Sequence, residues 1–220
     1  DINFKVNVWS SFFKIDKEII ENIIQESKCS EEILDKLMNL ILKKYNFNYW
    51  SDKSPPNISF GDRILEYWKD SKIIHIIRDP LDVFSSCKQA KKWNEPEIFV
   101  EKWSKIFKHT KQLSKSKNYL EIHYEHIILD KINSLEKMFT FCGLDWDNNY
   151  SKHSQDKSEY SLVKEITGKD STTLKRLSEP ITKDRIGIGK KFLSTKEKDK
   201  IRELVIKKNL LVEYNNASNY

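Results

Sequence analysis

The chain has 220 residues with a formal net charge of +6, and 33% of its residues are charged. Its 11 Phe, 9 Tyr and 6 Trp can form a core, which excludes wholesale disorder, and no apolar run approaches the ~18 residues of a membrane span. The positive charge favours an anionic partner, but it is spread along the chain and does not choose among nucleic acid, acidic lipid and a phosphorylated cofactor.

The first part of the chain predicts two helices and a rigid loop. Isoleucines at helical spacing predict a helix over 16–28, and Ser30 followed by acidic residues predicts the N-cap of a second helix that runs to about Tyr45. Two prolines in the segment 48–57 (NYWSDKSPPN) argue against a helix and indicate an ordered loop. A short helix over 59–70 follows.

The sharpest local pattern is a strand that passes directly into a helix. Residues 72–77 (KIIHII) form a β-branched run typical of a strand covered on both faces. Asp79 suits the N-cap, and Pro80 the first position, of a helix that runs to about Lys91. This is the βα turn of an open α/β sheet, and ligands bind at such turns, beyond the carboxyl ends of the strands.

The rest of the chain predicts further helices and a second, parallel strand over 118–124. Helices are expected over 95–115, over 132–142 and from the capping box at Ser194 to about 208. The polar stretch 145–184 predicts a flap or insertion, and 213–220 a disordered tail. We therefore expect a single α/β domain over 1–212, with a parallel sheet and helices on both faces.

Three groups of residues could carry chemistry. Arg78 and Ser86 could form a phosphate site at the start of a helix, although a surface ion pair and a solvated serine would fit the spacing too. Asp52 and Lys53 would place a proton acceptor beside a cation, or would simply be solvated loop charges. The basic turn 183–192 (KDRIGIGKKF) could approach an anion closely, but it is weak evidence alone.

Together these segments resemble the sulfotransferase family, over roughly residues 48–208. The run 73–87 (IIHIIRDPLDVFSSC) is very like the 3′-phosphate-binding strand, loop and helix of that family. Residues 52–57 (DKSPPN) are similar to its Lys-[Ser/Thr]-Pro segment, which is closer to the carbohydrate and bacterial-type branch than to the cytosolic small-molecule enzymes. Residues 119–147 and 184–194 resemble its Tyr-Glu stretch and its Arg-x-Gly motif.

The resemblance implies a P-loop-like fold and the donor 3′-phosphoadenosine-5′-phosphosulfate (PAPS). Arg78 and Ser86 would hold the 3′-phosphate of the donor, and Tyr124 would lie near its adenine. Arg185 and the backbone of Gly187 would close over the 3′-phosphate. The implied reaction moves a sulfuryl group to an acceptor hydroxyl or amine.

The catalytic pair implied by the resemblance is Asp52 and Lys53. Lys53 would stabilise charge near the transferring group, and Asp52 falls where the carbohydrate-type members carry a Glu as base. Family members also begin with a strand and a Gly/Ser/Thr-rich loop, whereas residues 1–15 contain no glycine. The chain is therefore expected either to be an N-terminally incomplete copy or to lack the 5′ half of the donor site.

Two other functions compete with the sulfotransferase. One is a nucleotide or small-molecule kinase on a related fold, although no G-x-x-x-x-G-K-[ST] motif occurs. The other is a non-catalytic basic module that binds glycans or nucleic acid. For the leading function we expect a small-molecule or carbohydrate acceptor, no nucleic acid and no metal. We expect a cytoplasmic enzyme, with an anchor lost from the start of the chain as the alternative.

Overall fold

A computed structural model describes residues 2–151 and 182–218 of the chain. Contacts between Cα atoms divide the chain into two compact units, which are described separately: residues 1–54 with 153–180, and residues 55–152 with 181–220. Most of the polar stretch 145–184 lies outside the described residues. The expectation of a single domain over 1–212 stays a prediction.

In its described part, the first unit contains three helices: α1 (Ile2–Phe13), α2 (Lys17–Glu26) and α3 (Ser30–Tyr45). The described strands lie further along the chain, in the second unit, so residues 2–72 contain helices where the resemblance implied a strand and a glycine-rich loop. Cys29, rather than the expected Ser30, is the N-cap of α3. This unit has a core of its own, made of the helix residues Val6, Ile20, Leu37 and Ile41 and of Ile15, which lies between α1 and α2.

The second unit holds two strands and eight helices in its described part, together with short 3₁₀ turns. The strands are β1 (Ile73–Ile77) and β2 (Tyr119–His123). The helices are α4 (Gly61–Tyr67), α5 (Pro80–Gln89), α6 (Pro96–Leu113), α7 (Tyr124–Leu129), α8 (Lys131–Cys142), α9 (Ile188–Phe192), α10 (Thr195–Lys207) and α11 (Leu211–Ser218). The 3₁₀ turns are Pro55–Phe60, Asn148–Ser151 and Lys183–Arg185.

The two strands form a small parallel sheet, which confirms the predicted α/β class. Ile73 pairs with Tyr119, and the register continues to the pair of Ile77 and His123. Both strands therefore end at the same edge, where Arg78 and Tyr124 are the next residues. The expectation that β1 is covered on both faces is wrong, because the side chain of Ile76 is 53% exposed.

The core of the second unit holds α5, α6 and α10 together beside the sheet. Phe84 of α5 and Phe99 of α6 are fully buried, with ring centroids 5.3 Å apart. Ile201 and Val205 of α10 are also fully buried in this cluster. Burial of side chains of this size contributes roughly 1.5–3 kcal/mol each, so α5 has a fixed position relative to its neighbours.

Three segments differ from the sequence-based expectation. The two prolines of the 48–57 segment begin a 3₁₀ turn at Pro55, because proline is compatible with the first positions of a helix. Tyr124, expected to end the second strand, instead begins α7, which runs to Leu129. The expected disordered tail 213–220 is helical through Ser218, and Ala217 is buried in the core of the second unit.

Helix α9 lies against the start of α5 at the closest distance that a glycine allows. A Cβ atom added to Gly189 would lie 2.3 Å from the carbonyl carbon of Leu81. Backbone atoms cannot move aside as a flexible side chain can, so this contact needs a residue without a Cβ. Gly189 thereby sets the distance between the two helices.

We expect Gly189→Ala to separate α9 from α5 and to lower the free energy of unfolding by about 1–3 kcal/mol, the usual effect of overpacking. The measurement is urea unfolding followed by circular dichroism. Lys191→Ala is the control, because Lys191 is exposed on the same short helix, and its effect should stay within about 0.5 kcal/mol. Equal losses in the two variants would contradict the close packing.

Candidate anion-binding site

The site is built on the turn between β1 and α5. Asp79 is the N-cap of α5, and its Oδ1 accepts the backbone N–H groups of Leu81 (2.8 Å) and Asp82 (3.0 Å). Pro80 occupies the first helical turn, where its missing N–H costs nothing. The predicted cap is confirmed, and it fixes Arg78 at the carboxyl end of β1, just before the helix.

Two arginines meet at the hydroxyl of Ser86. Nη1 of Arg78 and Nη2 of Arg185 each lie 3.4 Å from Ser86 Oγ, a long distance for a hydrogen bond. Arg78 Nη2 also donates to the backbone carbonyl of Arg185. Two guanidinium groups that are 107 residues apart in the sequence thus converge on one small hydroxyl.

Tyr124 covers the guanidinium of Arg78. The Cζ atom of Arg78 lies 4.8 Å from the centroid of the Tyr124 ring, which is a cation–π contact. Tyr124 follows β2 directly, so the parallel register places it beside the residue that follows β1. The ring limits the directions in which the guanidinium can turn.

Asp82 joins the C-terminal turn to α5. Its side chain is fully buried, and its Oδ2 and Oδ1 accept the N–H groups of Gly187 (2.8 Å) and Gly189 (2.7 Å). Arg78 Nη2 lies 3.5 Å from the same carboxyl. Gly187 has a φ of 76°, in the left-handed region that glycine adopts without strain. This carboxyl therefore holds the turn that carries Arg185 against Ser86.

Asp79 has a perturbed acidity. Burial raises its pKa from 3.8 to about 6, and the charge of the neighbouring Asp82 adds to this rise. The N–H groups that its oxygen accepts, together with Lys190, oppose the shift only in part. The N-cap of α5 is therefore a carboxyl that holds its proton to a higher pH than an ordinary aspartate.

Asp52 and Lys53 belong to the other unit, on the loop that precedes Pro55. Both side chains are exposed, and Asp52 Oδ1 accepts a hydrogen bond from Ser54 Oγ at 3.3 Å. The structure thus brings together five of the predicted residues, Arg78, Ser86, Tyr124, Arg185 and Gly187. The catalytic pair of Asp52 and Lys53 stays a prediction.

The described part of the chain offers neither a metal site nor a membrane-spanning helix. Residues 2–151 and 182–218 hold no group of three or more His, Cys, Asp or Glu side chains that could bind a metal ion. None of the helices in these ranges is long and apolar enough to cross a membrane.

The chain was compared with known proteins. The profile of a family described as "Sulfotransferase family" matches residues 11–148, which is more than half of the chain. The chain belongs to the sulfotransferase family. The family assignment confirms the predicted resemblance and indicates a transferase. The same comparisons found no match among curated proteins and none among solved structures.

Two buried carboxyls of this sulfotransferase-family site were missed by the sequence reasoning. Asp82 and Glu125 are both fully buried, and each accepts backbone N–H groups from a distant segment. Asp82 follows Arg78 by four residues, in the first turn of the helix that begins just after this arginine. That spacing could have drawn attention to Asp82, whereas no local pattern points to the partner of Glu125.

We expect Asp82→Asn to lower the free energy of unfolding on the order of 3 kcal/mol, because the amide cannot accept both glycine N–H groups and no longer neutralises Arg78. Urea unfolding measures the loss. Asp184→Asn serves as the control, since Asp184 is exposed in the same C-terminal segment and should change stability by under about 0.5 kcal/mol. A small effect at Asp82 would show that its hydrogen bonds are dispensable.

The raised pKa of Asp79 predicts a pH-dependent stability. The folded state binds this proton more tightly than the unfolded state, so the contribution of Asp79 is fully present below pH 3.8 and is lost as the pH rises through about 6. Asn at this position keeps the capping oxygen and does not titrate. We expect the unfolding free energy of Asp79→Asn, relative to the unchanged protein, to rise by about 2 kcal/mol between pH 4 and pH 7.

Urea unfolding at both pH values measures this change, and Asp184→Asn is again the control. Subtracting the unchanged protein removes the titration of other groups, including Glu197, whose pKa is lowered to about 2 by its hydrogen bond to Lys88. A difference between Asp79→Asn and the unchanged protein that does not vary with pH would refute the prediction.

Proposed function

We propose that the chain transfers a sulfuryl group from PAPS to an acceptor hydroxyl or amine, and that it holds the 3′-phosphate of the donor between Arg78, Arg185 and Ser86. The observation that carries this proposal is the convergence of two guanidinium groups on one hydroxyl, that of Ser86 on α5. Membership of the sulfotransferase family supports the reaction class.

The chemistry of these residues fits a doubly charged anion. Guanidinium groups bind phosphate through paired N–H donors, and two of them meet here. Arg78 also has a buried Nε that no hydrogen-bond acceptor reaches among the described residues. A buried donor without a partner is costly, and an anion beside the guanidinium would supply one.

Tyr124 and Gly187 would contribute in different ways. The Tyr124 ring stacks on Arg78 and would offer an aromatic surface to the adenine of the donor. The N–H of Gly187 already donates to Asp82, so this residue would contribute space rather than a hydrogen bond. Apart from Gly187 and its two chain neighbours, no atom of the described residues lies within 4 Å of the position where its Cβ would stand. A ligand can therefore approach the backbone there.

Asp52 and Lys53 are proposed to carry the transfer step. The Asp52 carboxyl would accept the proton of the acceptor hydroxyl or amine as it attacks sulfur, and the Lys53 ammonium would stabilise the negative charge that develops on the leaving oxygen. We further propose a small-molecule or carbohydrate acceptor, as the Lys-Ser-Pro segment suggests.

Calorimetric titration with adenosine 3′,5′-bisphosphate tests the donor site. We expect Arg78→Ala to weaken binding about 10- to 100-fold, because charge-assisted hydrogen bonds contribute roughly 1.5–3 kcal/mol. Arg202→Ala removes an exposed guanidinium on α10 and should leave the affinity unchanged.

The alternatives give different results in the same titration. ATP binding without bisphosphate binding would favour a kinase and contradict the proposal. Bisphosphate binding that survives Arg78→Ala but falls steeply with salt would indicate a diffuse lysine surface instead.

A further inference from the structure

Glu125 makes an unusual contact at the start of α5. Its side chain is fully buried in α7, and its Oε1 accepts the backbone N–H of Asp79 at 3.0 Å. That N–H belongs to the peptide that joins Arg78 to the N-cap residue. Glu125 therefore holds the turn on which Arg78 is mounted, from a position 46 residues further along the chain.

In a complete capping box, the third residue of the helix accepts the N–H of the N-cap residue. Helix α10 of this chain has that arrangement: Glu197 accepts the N–H of Ser194 at 3.0 Å, and Ser194 Oγ accepts the N–H of Glu197. Helix α5 has only half of it. Asp79 caps the N–H of Asp82, but the Asp82 carboxyl does not return the bond.

The Asp82 carboxyl is occupied elsewhere. Both of its oxygens accept N–H groups of the C-terminal turn, from Gly187 and Gly189. Glu125 takes the place that Asp82 would fill in a capping box. The N-cap N–H of α5 is thus satisfied from another helix, and the third residue of α5 is left free to bind a distant segment.

We propose that Glu125 is a positioning residue of the anion site, which acts by accepting the Asp79 N–H and so leaving Asp82 to hold the Arg185-bearing turn. This inference shares one assumption with the proposed function, namely that the site binds an anion. Glu125 acts through other residues, since its second oxygen, Oε2, is buried without a hydrogen-bond partner among the described residues.

Removing the acceptor at Glu125 should loosen the C-terminal turn. The Asp79 N–H would be left unsatisfied in a buried place, which costs about 1–3 kcal/mol, and it would compete with Gly187 and Gly189 for the Asp82 carboxyl. The effect would appear at amides of the turn, which lie more than 60 residues beyond Glu125 in the sequence. A general loss of stability would not select those amides.

The test uses the full chain and three substitutions of Glu125. Glu125→Gln keeps a carbonyl oxygen as acceptor, Glu125→Met has a similar volume without one, and Glu125→Asp is too short to reach. We expect Glu125→Met and Glu125→Asp to speed hydrogen exchange at the Gly187 and Gly189 amides about 10-fold. The same two variants should bind adenosine 3′,5′-bisphosphate about 10-fold more weakly. In Glu125→Gln, both the exchange rates and the affinity should stay within about 2-fold of the unchanged protein. Glu197→Met is the control: it breaks the equivalent bond in α10, and the ion pair of Glu197 with Lys88 of α5, but leaves the Asp79 N–H satisfied, so both quantities should stay within about 2-fold.

A double substitution asks whether Glu125 acts through Asp82. In an Asp82→Asn background, Glu125→Met should add no further change at the Gly187 amide, as expected for two steps of one pathway. Additive effects would overturn the inference. So would unchanged exchange at Gly187 and Gly189 in folded Glu125→Met or Glu125→Asp, or rapid exchange in Glu125→Gln. If the exchange results hold but the unchanged protein does not bind the bisphosphate, the proposed function fails and the positioning role stands.

Discussion

The buried carboxyl of Asp82 is the interaction on which the candidate site depends. It is the link that carries hydrogen bonds from α5 to backbone amides more than 100 residues later in the chain. Apolar contacts of Ile188 and Gly189 hold α9 near α5, but dispersion forces do not fix its rotation. The hydrogen bonds from the Gly187 and Gly189 N–H groups to the Asp82 carboxylate do fix this rotation, because they are short and charge-assisted. They thereby place Arg185 beside Ser86.

The buried carboxyls and the arginines of the site have different roles. Three carboxyls, those of Asp79, Asp82 and Glu125, are buried around two arginines, although the proposed ligand is an anion. Each carboxyl accepts backbone N–H groups and so orders the turn instead of pairing fully with an arginine. The guanidinium of Arg78 keeps its Nε without a partner among the described residues. Burial raises the pKa of Asp79 in this arrangement, and the charge of Asp82 adds to the rise.

Local patterns in the sequence predicted the parts of the site that depend on neighbours in the chain. The β-branched run before Arg78, the N-cap at Asp79 and the capping box at Ser194 each involve residues within a few positions of one another. The parallel pairing could be predicted because a helix separates two strand-like runs. The partners of Asp82 and Glu125 could not, since a buried carboxyl selects its N–H donors by tertiary proximity. The exposure of Ile76 also depends on which elements pack against β1.

The division of the chain into two units separates the two halves of the proposed chemistry. All five donor-site candidates lie in the second unit, whereas Asp52 and Lys53 lie just before the boundary between Ser54 and Pro55. The 3₁₀ turn that begins at Pro55 restricts the backbone directly after this pair, because proline fixes φ near −65°. If the proposed roles hold, donor affinity and transfer rate would depend on different parts of the chain. A substitution at Arg78 would then change the affinity for the donor, and one at Lys53 would change the rate of transfer.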